Sequence, residues 1–180
     1  MKLIGLPGNE VPDGLEVGEF ETSDGFKLRY AVSSGPPGRR GTVCIFQGRA
    51  EFIERYFETI KDLHARRYAV AILDWRGQGG SQRILRNRLR GHISSFKKYD
   101  RDFDDFTHQV VLPDCPPPYN ALAHSTGAQI LLRSIHKHTW FDKVVMSSPF
   151  VGLSEHFLPP LVIRAASVLA TACGLGWMYA

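Results

Sequence analysis

The chain has 180 residues, of which 43% are hydrophobic and 22% charged. That balance excludes a disordered or collagen-like chain and fits one soluble domain with a substantial core. The net charge of +4 is modest, acidic and basic residues are mixed along most of the length, and no nucleic-acid-binding module accompanies them, which excludes nucleic acid as a partner.

In chain order, Leu15 to Thr22 and Phe26 to Ser33 are β-prone runs joined by Ser23-Asp24-Gly25, a hairpin signal. After a loop rich in Gly, Pro and Arg, Thr42 to Phe46 is a short apolar run of the kind expected for a strand covered on both faces. Phe52 to Arg66 places Phe52, Ile53, Tyr56, Phe57, Ile60 and Leu63 at helical spacing. Tyr68 to Leu73 predicts a second buried strand. Arg83, Arg86, Arg88 and Arg90, with His92 beyond, form a basic cluster that reads as a solvated loop, with attraction to anionic headgroups or an anionic substrate as the alternative. Ser95 to Leu112 predicts a helix broken at Pro113. Tyr119 to Ala123 is a third buried strand, a helix follows over Ala128 to His138, and Lys143 to Met146 begins a fourth strand.

Strands alternating with helices predict an α/β fold with a mostly parallel sheet, right-handed crossovers and the N-terminal hairpin as antiparallel strands at one edge. From Phe157 to Ala180 the chain is very apolar, with Arg164 its one charge. A membrane span needs about 20 apolar residues. Arg164, Thr171, Gly174 and Gly176 interrupt this run, so it reads as an amphipathic lid helix suited to a greasy substrate or a membrane surface. The expected division is 1–152 for the core and 153–180 for the start of the lid. The cysteines, Cys44, Cys115 and Cys173, are odd in number and lack metal-site spacing, and Cys44 and Cys173 lie in apolar runs and are expected in the core. With too short an N-terminal apolar run for a secretory signal, the chain reads as cytoplasmic.

The chemistry centres on Ala123-His124-Ser125-Thr126-Gly127, between a buried strand and a helix. A serine on so sharp a turn is a nucleophile elbow, and the turn requires small residues two before and two after it, here Ala123 and Gly127. Acyl transfer also needs donors for the developing oxyanion. One is the Thr126 N–H at the start of the helix. The other is expected from the loop after Phe46, where Gly48 lets the backbone approach a substrate and the Arg49 N–H is the candidate donor. His124, next to the serine in a tight turn, is expected to point away and pack beneath the elbow. Asp74 and Ser147-Ser148-Pro149 are expected to shape the pocket.

Three blocks resemble the serine hydrolases that include lysophospholipase L2 and monoacylglycerol lipase. They are Phe46-Gln47-Gly48-Arg49-Ala50-Glu51 with Arg55-Tyr56; Asp74-Trp75-Arg76-Gly77-Gln78-Gly79-Gly80-Ser81; and Leu122-Ala123-His124-Ser125-Thr126-Gly127. Arg90-Gly91-His92, followed by Phe96 and Tyr99, points to the lysophospholipase L2 branch. The likeness runs from about Leu15 to Gly152. It implies an α/β-hydrolase fold, Ser125 as nucleophile, Arg49 and Thr126 N–H groups as the oxyanion hole, a small lipid ester as substrate, and neither metal nor cofactor. The chain departs from the family in two places: Gln47 stands where many relatives have His, and Thr126 where Met is common.

This fold presents its triad in the order Ser, Asp or Glu, His. After Ser125 the acids are Asp142 and Glu155 and the imidazoles His136, His138 and His156. His136 lies about 16 Å along the helix at 1.5 Å per residue, beyond the reach of a general base. Asp142 precedes its strand, at the wrong end of the sheet. Glu155 and His156 are better placed but adjacent, and adjacent side chains seldom enter one relay. The expectation is therefore a chain that ends inside the lid, with acid and base on later strands. A catalytically inactive module that binds lipid or a protein partner, and a serine hydrolase acting on a peptide or another small ester, are the alternatives.

Overall fold

The computed structural model describes residues 2–87, 90–152 and 159–175. Six strands form a single sheet in the order β1-β2-β4-β3-β5-β6. They are β1 (Glu16–Glu21), β2 (Lys27–Ser33), β3 (Thr42–Phe46), β4 (Ala69–Leu73), β5 (Tyr119–His124) and β6 (Lys143–Ser147). β4, β3, β5 and β6 are parallel, while β1 and β2 pair antiparallel and β2 joins the sheet antiparallel to β4. The sheet is that of an α/β-hydrolase, with the hairpin at the edge where the sequence puts it.

Every residue of β3 and β4 is buried, and the two-residue period of a strand divides them between two cores. Cys44, Phe46, Ala71 and Leu73 face one core, packed by Phe103 and Phe106 of α2 (Lys97–Phe106) and by Ile130 and Leu131 of α4 (Thr126–Ser134). Val43, Ile45, Val70 and Ile72 face the other, closed by Ile53, Phe57 and Ile60 on a 3-10 turn and α1 (Phe57–Ala65). A sheet covered on both sides can keep only backbone that is paired in the ladder, which is why its strands are short, apolar and uninterrupted.

Two expectations need correction. Helical path does not stop before Pro113: α2 passes through a π-helical turn (Thr107–Val111) into α3 (Leu112–Asp114), with the proline in that last turn. The missing N–H of Pro113 falls after the ladder has already changed register, so it does not break the regular bonding of α2. Cys44 and Cys115 are buried, but Cys173 is exposed, because it caps α5 (Pro160–Ala172), whose described side chains are nearly all exposed. Leu161, Val162, Val168 and Leu169 are among them. No described helix is long and apolar enough to cross a membrane. Compact packing separates residues 1–149 from 150–180. At the β6 edge of the sheet, Val145 is 59% exposed. Of the basic cluster, Arg83 donates to the carbonyl oxygens of Gly77 and Gly79 and so braces its own loop, while Arg88 lies outside the described residues, as do Glu155 and His156.

Candidate active site

β3 and β5 are parallel neighbours in a register that pairs Phe46 with Ala123. The loop after β3 and the turn after β5 therefore leave the same carboxyl edge of the sheet side by side, where open α/β sheets place their ligands. Ser125 occupies the turn with φ 50° and ψ −115°, a conformation that a non-glycine residue adopts only at a cost of about 1–3 kcal/mol and that is concentrated at functional sites. The surroundings hold it there. The Ser125 N–H donates to the Ser147 carbonyl of β6 (3.1 Å), and the Ser125 carbonyl accepts the Gln129 N–H of α4 (3.2 Å).

The small residues around the serine have distinct reasons. Ala123 is fully buried in β5. Gly127 lies in the first turn of α4, where an added Cβ would collide with the Phe46 carbonyl oxygen and stand 2.5 Å from that of Gln47. Gly48 faces the elbow: a Cβ on it would lie 3.2 Å from Ser125 Cβ, 3.1 Å from His124 Nδ1 and 2.9 Å from Glu51 Oε2. The structure thus brings the post-β3 loop against the serine turn through a position where only glycine fits without displacing a neighbour.

Gln47 fixes the base of that loop. It is fully buried, donates Nε2 to the Leu73 carbonyl (2.8 Å) and to Asp74 Oδ1 (3.0 Å), and accepts Trp75 Nε1–H on its own carbonyl (2.8 Å). Asp74, fully buried, also accepts the Ile53 N–H (2.9 Å), the Gly80 N–H (2.7 Å) and Arg29 Nε–H (2.6 Å). Arg29 reaches on to both oxygens of Glu54 at 2.8 Å. Burial pushes the Glu54 carboxyl up, but the Arg29 guanidinium outweighs it and holds the group below its ordinary value. Asp74 thus ties the ends of β3 and β4 to the 3-10 turn that begins at Ile53.

Glu51 is where sequence reasoning fell short. Its Oε2 accepts the Gly48 N–H (2.6 Å) and the Tyr56 hydroxyl (2.8 Å), and lies 3.2 Å from His124 Nδ1. Burial raises the Glu51 pKa, and the hydrogen bonds from Tyr56, Gly48 and His124 lower it by more, leaving a carboxylate below its usual range. Burial, and then the Glu51 carboxylate, push the Tyr56 phenol up. His124 is not packed beneath the elbow as expected: its side chain is 40% exposed and turned toward Glu51. Alternation along β5 turns its side chain to the face opposite Ala123, and the Glu51 carboxylate of the neighbouring loop captures it. Gln78, from the loop after β4, was also missed; its Oε1 accepts the Ala50 N–H. Both residues stand inside the family-like motif blocks, where a polar residue beside a glycine-bearing loop was the available signal.

Arg49 is exposed, and Thr126 opens α4. Among the described residues, neither N–H donates to a protein acceptor and the Ser125 hydroxyl has no hydrogen-bond partner. Nor do three or more described His, Cys, Asp or Glu residues cluster so as to hold a metal ion.

The serine aminopeptidase, S33, family model matches residues 37–176. Lysophospholipase L2 of Escherichia coli strain K12 is 33% identical over 153 residues, 84% of this chain and 42% of that protein. A probable lysophospholipase L2 of Haemophilus influenzae is 34% identical over 149 residues, 79% of this chain and 46% of that one. The chain thus spans less than half the length of these curated relatives. A soluble variant of monoglyceride lipase from Saccharomyces cerevisiae superposes with a TM-score of 0.63 at 22% identity, covering 87% of this chain and 52% of that one, and so shares its fold. With the family model matching more than half its length, the chain belongs to the serine aminopeptidase S33 family of α/β-hydrolases.

Proposed function

We propose that the protein belongs to a serine hydrolase that cleaves carboxylic esters of lipids, of lysophospholipase or monoacylglycerol lipase type, through an acyl-enzyme on Ser125. The observation that carries the reading is the strained backbone of Ser125 at a strand-to-helix turn, pressed against Gly48 of the neighbouring loop. In this reading Ser125 Oγ attacks the ester carbonyl carbon, its proton passes to a base, and negative charge gathers on the former carbonyl oxygen. The N–H groups of Arg49 and Thr126 stabilise that oxyanion, an interaction worth about 2.7–4 kcal/mol per donor in comparable sites. Collapse of the intermediate breaks the bond to the alcohol, which leaves with a proton; water then attacks the acyl-enzyme and releases the fatty acid and Ser125.

The triad acid and base are not assigned to described residues: His124 is engaged by Glu51, and His136 lies in the turn after α4, far along its axis from the serine. A lysophospholipase L2 and a probable lysophospholipase L2 among the relatives support the substrate class, and the exposed apolar side chains of α5 support peripheral contact of the 157–180 segment with a lipid surface. No metal or cofactor enters this chemistry, and the compartment that fits free cysteines is the cytoplasm.

The unpartnered Ser125 hydroxyl favours one second reading, a catalytically inactive module that binds lipid or a partner. Lysophospholipids, monoacylglycerols, small esters and aminoacyl peptides, offered to the complete gene product and to its Ser125→Ala variant, decide between the readings. Ser125-dependent release of fatty acid supports lipid ester cleavage. Ser125-dependent release from peptides or small esters alone moves the substrate class, and equal, negligible turnover by both proteins overturns the reaction.

A further inference from the structure

Three successive amides after β3 are treated differently by the fold. The Gly48 N–H is bound to Glu51 Oε2 at 2.6 Å. The Ala50 N–H is bound to Gln78 Oε1. The Arg49 N–H between them has no acceptor among the described residues. The backbone at Ala50 is left-handed, with φ 61°, a conformation that an alanine does not hold unaided. Its anchor comes from a separate part of the chain, because Gln78 belongs to the loop after β4 and is itself buried. The other anchor is equally fixed: Glu51 is held by the Tyr56 hydroxyl and sits against His124, the residue before the nucleophile.

We infer that Glu51 and Gln78 form a two-point clamp that aims the Arg49 N–H at the substrate carbonyl, making both of them positioning residues for ester cleavage. This rests on the reaction proposed above and adds to it the side chains that set the oxyanion loop. Tying down both flanking amides leaves one donor free and fixes its direction before substrate arrives, which is what electrostatic preorganisation requires. Because Glu51 also meets His124, the clamp locks the loop to the elbow itself, so donor and nucleophile are held in one frame. Neither residue touches the reacting atoms. The Gln78 Nε2 has no partner among the described residues, so the Ala50 contact alone sets which way its amide points.

The test has an arm that needs no turnover. Amide exchange followed by NMR on the wild-type chain should show Gly48 and Ala50 protected and Arg49 exchanging at least about tenfold faster than either. Gln78→Met, similar in size but without the acceptor, should lose the Ala50 protection while the amides of β3 and β4 keep theirs. Glu51→Leu should do the same to Gly48, and Glu51→Gln, which retains an acceptor, should restore most of it. In the complete gene product, Gln78→Met and Glu51→Leu should lower kcat by about tenfold to a hundredfold with KM within about twofold, the pattern of a misplaced transition-state donor. An Arg49 amide as protected as its neighbours overturns the clamp, as does an unchanged kcat in folded Gln78→Met. The wild-type pattern keeps the test decisive if a variant does not fold. If that pattern holds but hydrolysis does not depend on Ser125, the clamp is upheld as loop architecture and the proposed reaction is what fails.

Discussion

Gly127 rests directly on the carbonyl oxygen of Phe46, with no space between them for a Cβ. The first turn of the helix after Ser125 is thereby pressed onto the end of β3, at the carbonyls of Phe46 and Gln47. Gly127→Ala must push backbone against backbone, since the obstructing atoms are carbonyl oxygens and not a flexible side chain. The variant should lose about 1–3 kcal/mol of stability, read by urea denaturation, and Ser125 reactivity should fall further than stability does.

Gly48→Ala makes a contrasting case. The nearest obstacles are the end of the Glu51 side chain, the His124 ring and Ser125 Cβ, at 2.9, 3.1 and 3.2 Å, and the first two are side-chain ends that can give by a few tenths of an ångström, at the expense of the contacts that hold them. Stability should change by less than about 1 kcal/mol, while kcat drops at least about tenfold because the displaced groups are those around Ser125, the proposed nucleophile. Equal kcat in the alanine variant would show that the loop does not serve the reaction.

Arg29 carries the buried charges behind the site. It is the shared partner of Glu54 and Asp74, with side chains 7%, 9% and 0% exposed. Arg29→Met leaves two carboxylates buried without their counter-ion and should cost about 3–5 kcal/mol, measured by chemical denaturation. Replacing Glu54 as well, by Arg29→Met with Glu54→Gln, should recover part of the loss, since one of the stranded charges is then gone.

Acid sensitivity should trace in part to Asp24. Hydrogen bonds from the buried Arg76 guanidinium, at 3.0 Å to each oxygen, hold its carboxyl far below the ordinary value of 3.8, against the opposing effect of burial. A carboxylate depressed in the folded state binds its proton more readily when unfolded, so its stabilisation is complete above the unfolded value and lost as pH falls through it toward the folded one. Wild-type stability should therefore decline below about pH 4, and Asp24→Asn should be less stable at pH 7 yet lose less between pH 5 and 3. Parallel pH profiles for the two proteins would remove Asp24 from the account.

Much of this was legible in the chain itself, for reasons that lie in local chemistry. Thr42–Phe46 and Tyr68–Leu73 read as buried strands because nearly every residue is apolar, and β3 (Thr42–Phe46) and β4 (Ala69–Leu73) are buried throughout. The turn at Ser125 was marked by Gly127 and the small Ala123 on either side. Pro113 misled because a proline can sit in the last helical turn once the π-helical turn before it has already changed the bonding. Cys173 misled because an apolar neighbourhood in sequence is not burial in space. Glu51, His124 and Gln78 could not be joined from sequence: Glu51 and His124 are 73 positions apart, Ala50 and Gln78 are 28 apart, and only the parallel register of β4, β3 and β5 brings their loops together.

The measurement that bears most directly on the central claim is covalent labelling of the complete gene product with a fluorophosphonate, followed by mass spectrometry of the modified peptide. A single phosphonylated site at Ser125 is expected, abolished in Ser125→Ala together with fatty-acid release from lysophospholipid. A folded protein that takes no label at Ser125, or a Ser125→Ala variant that still hydrolyses the lipid, would contradict it.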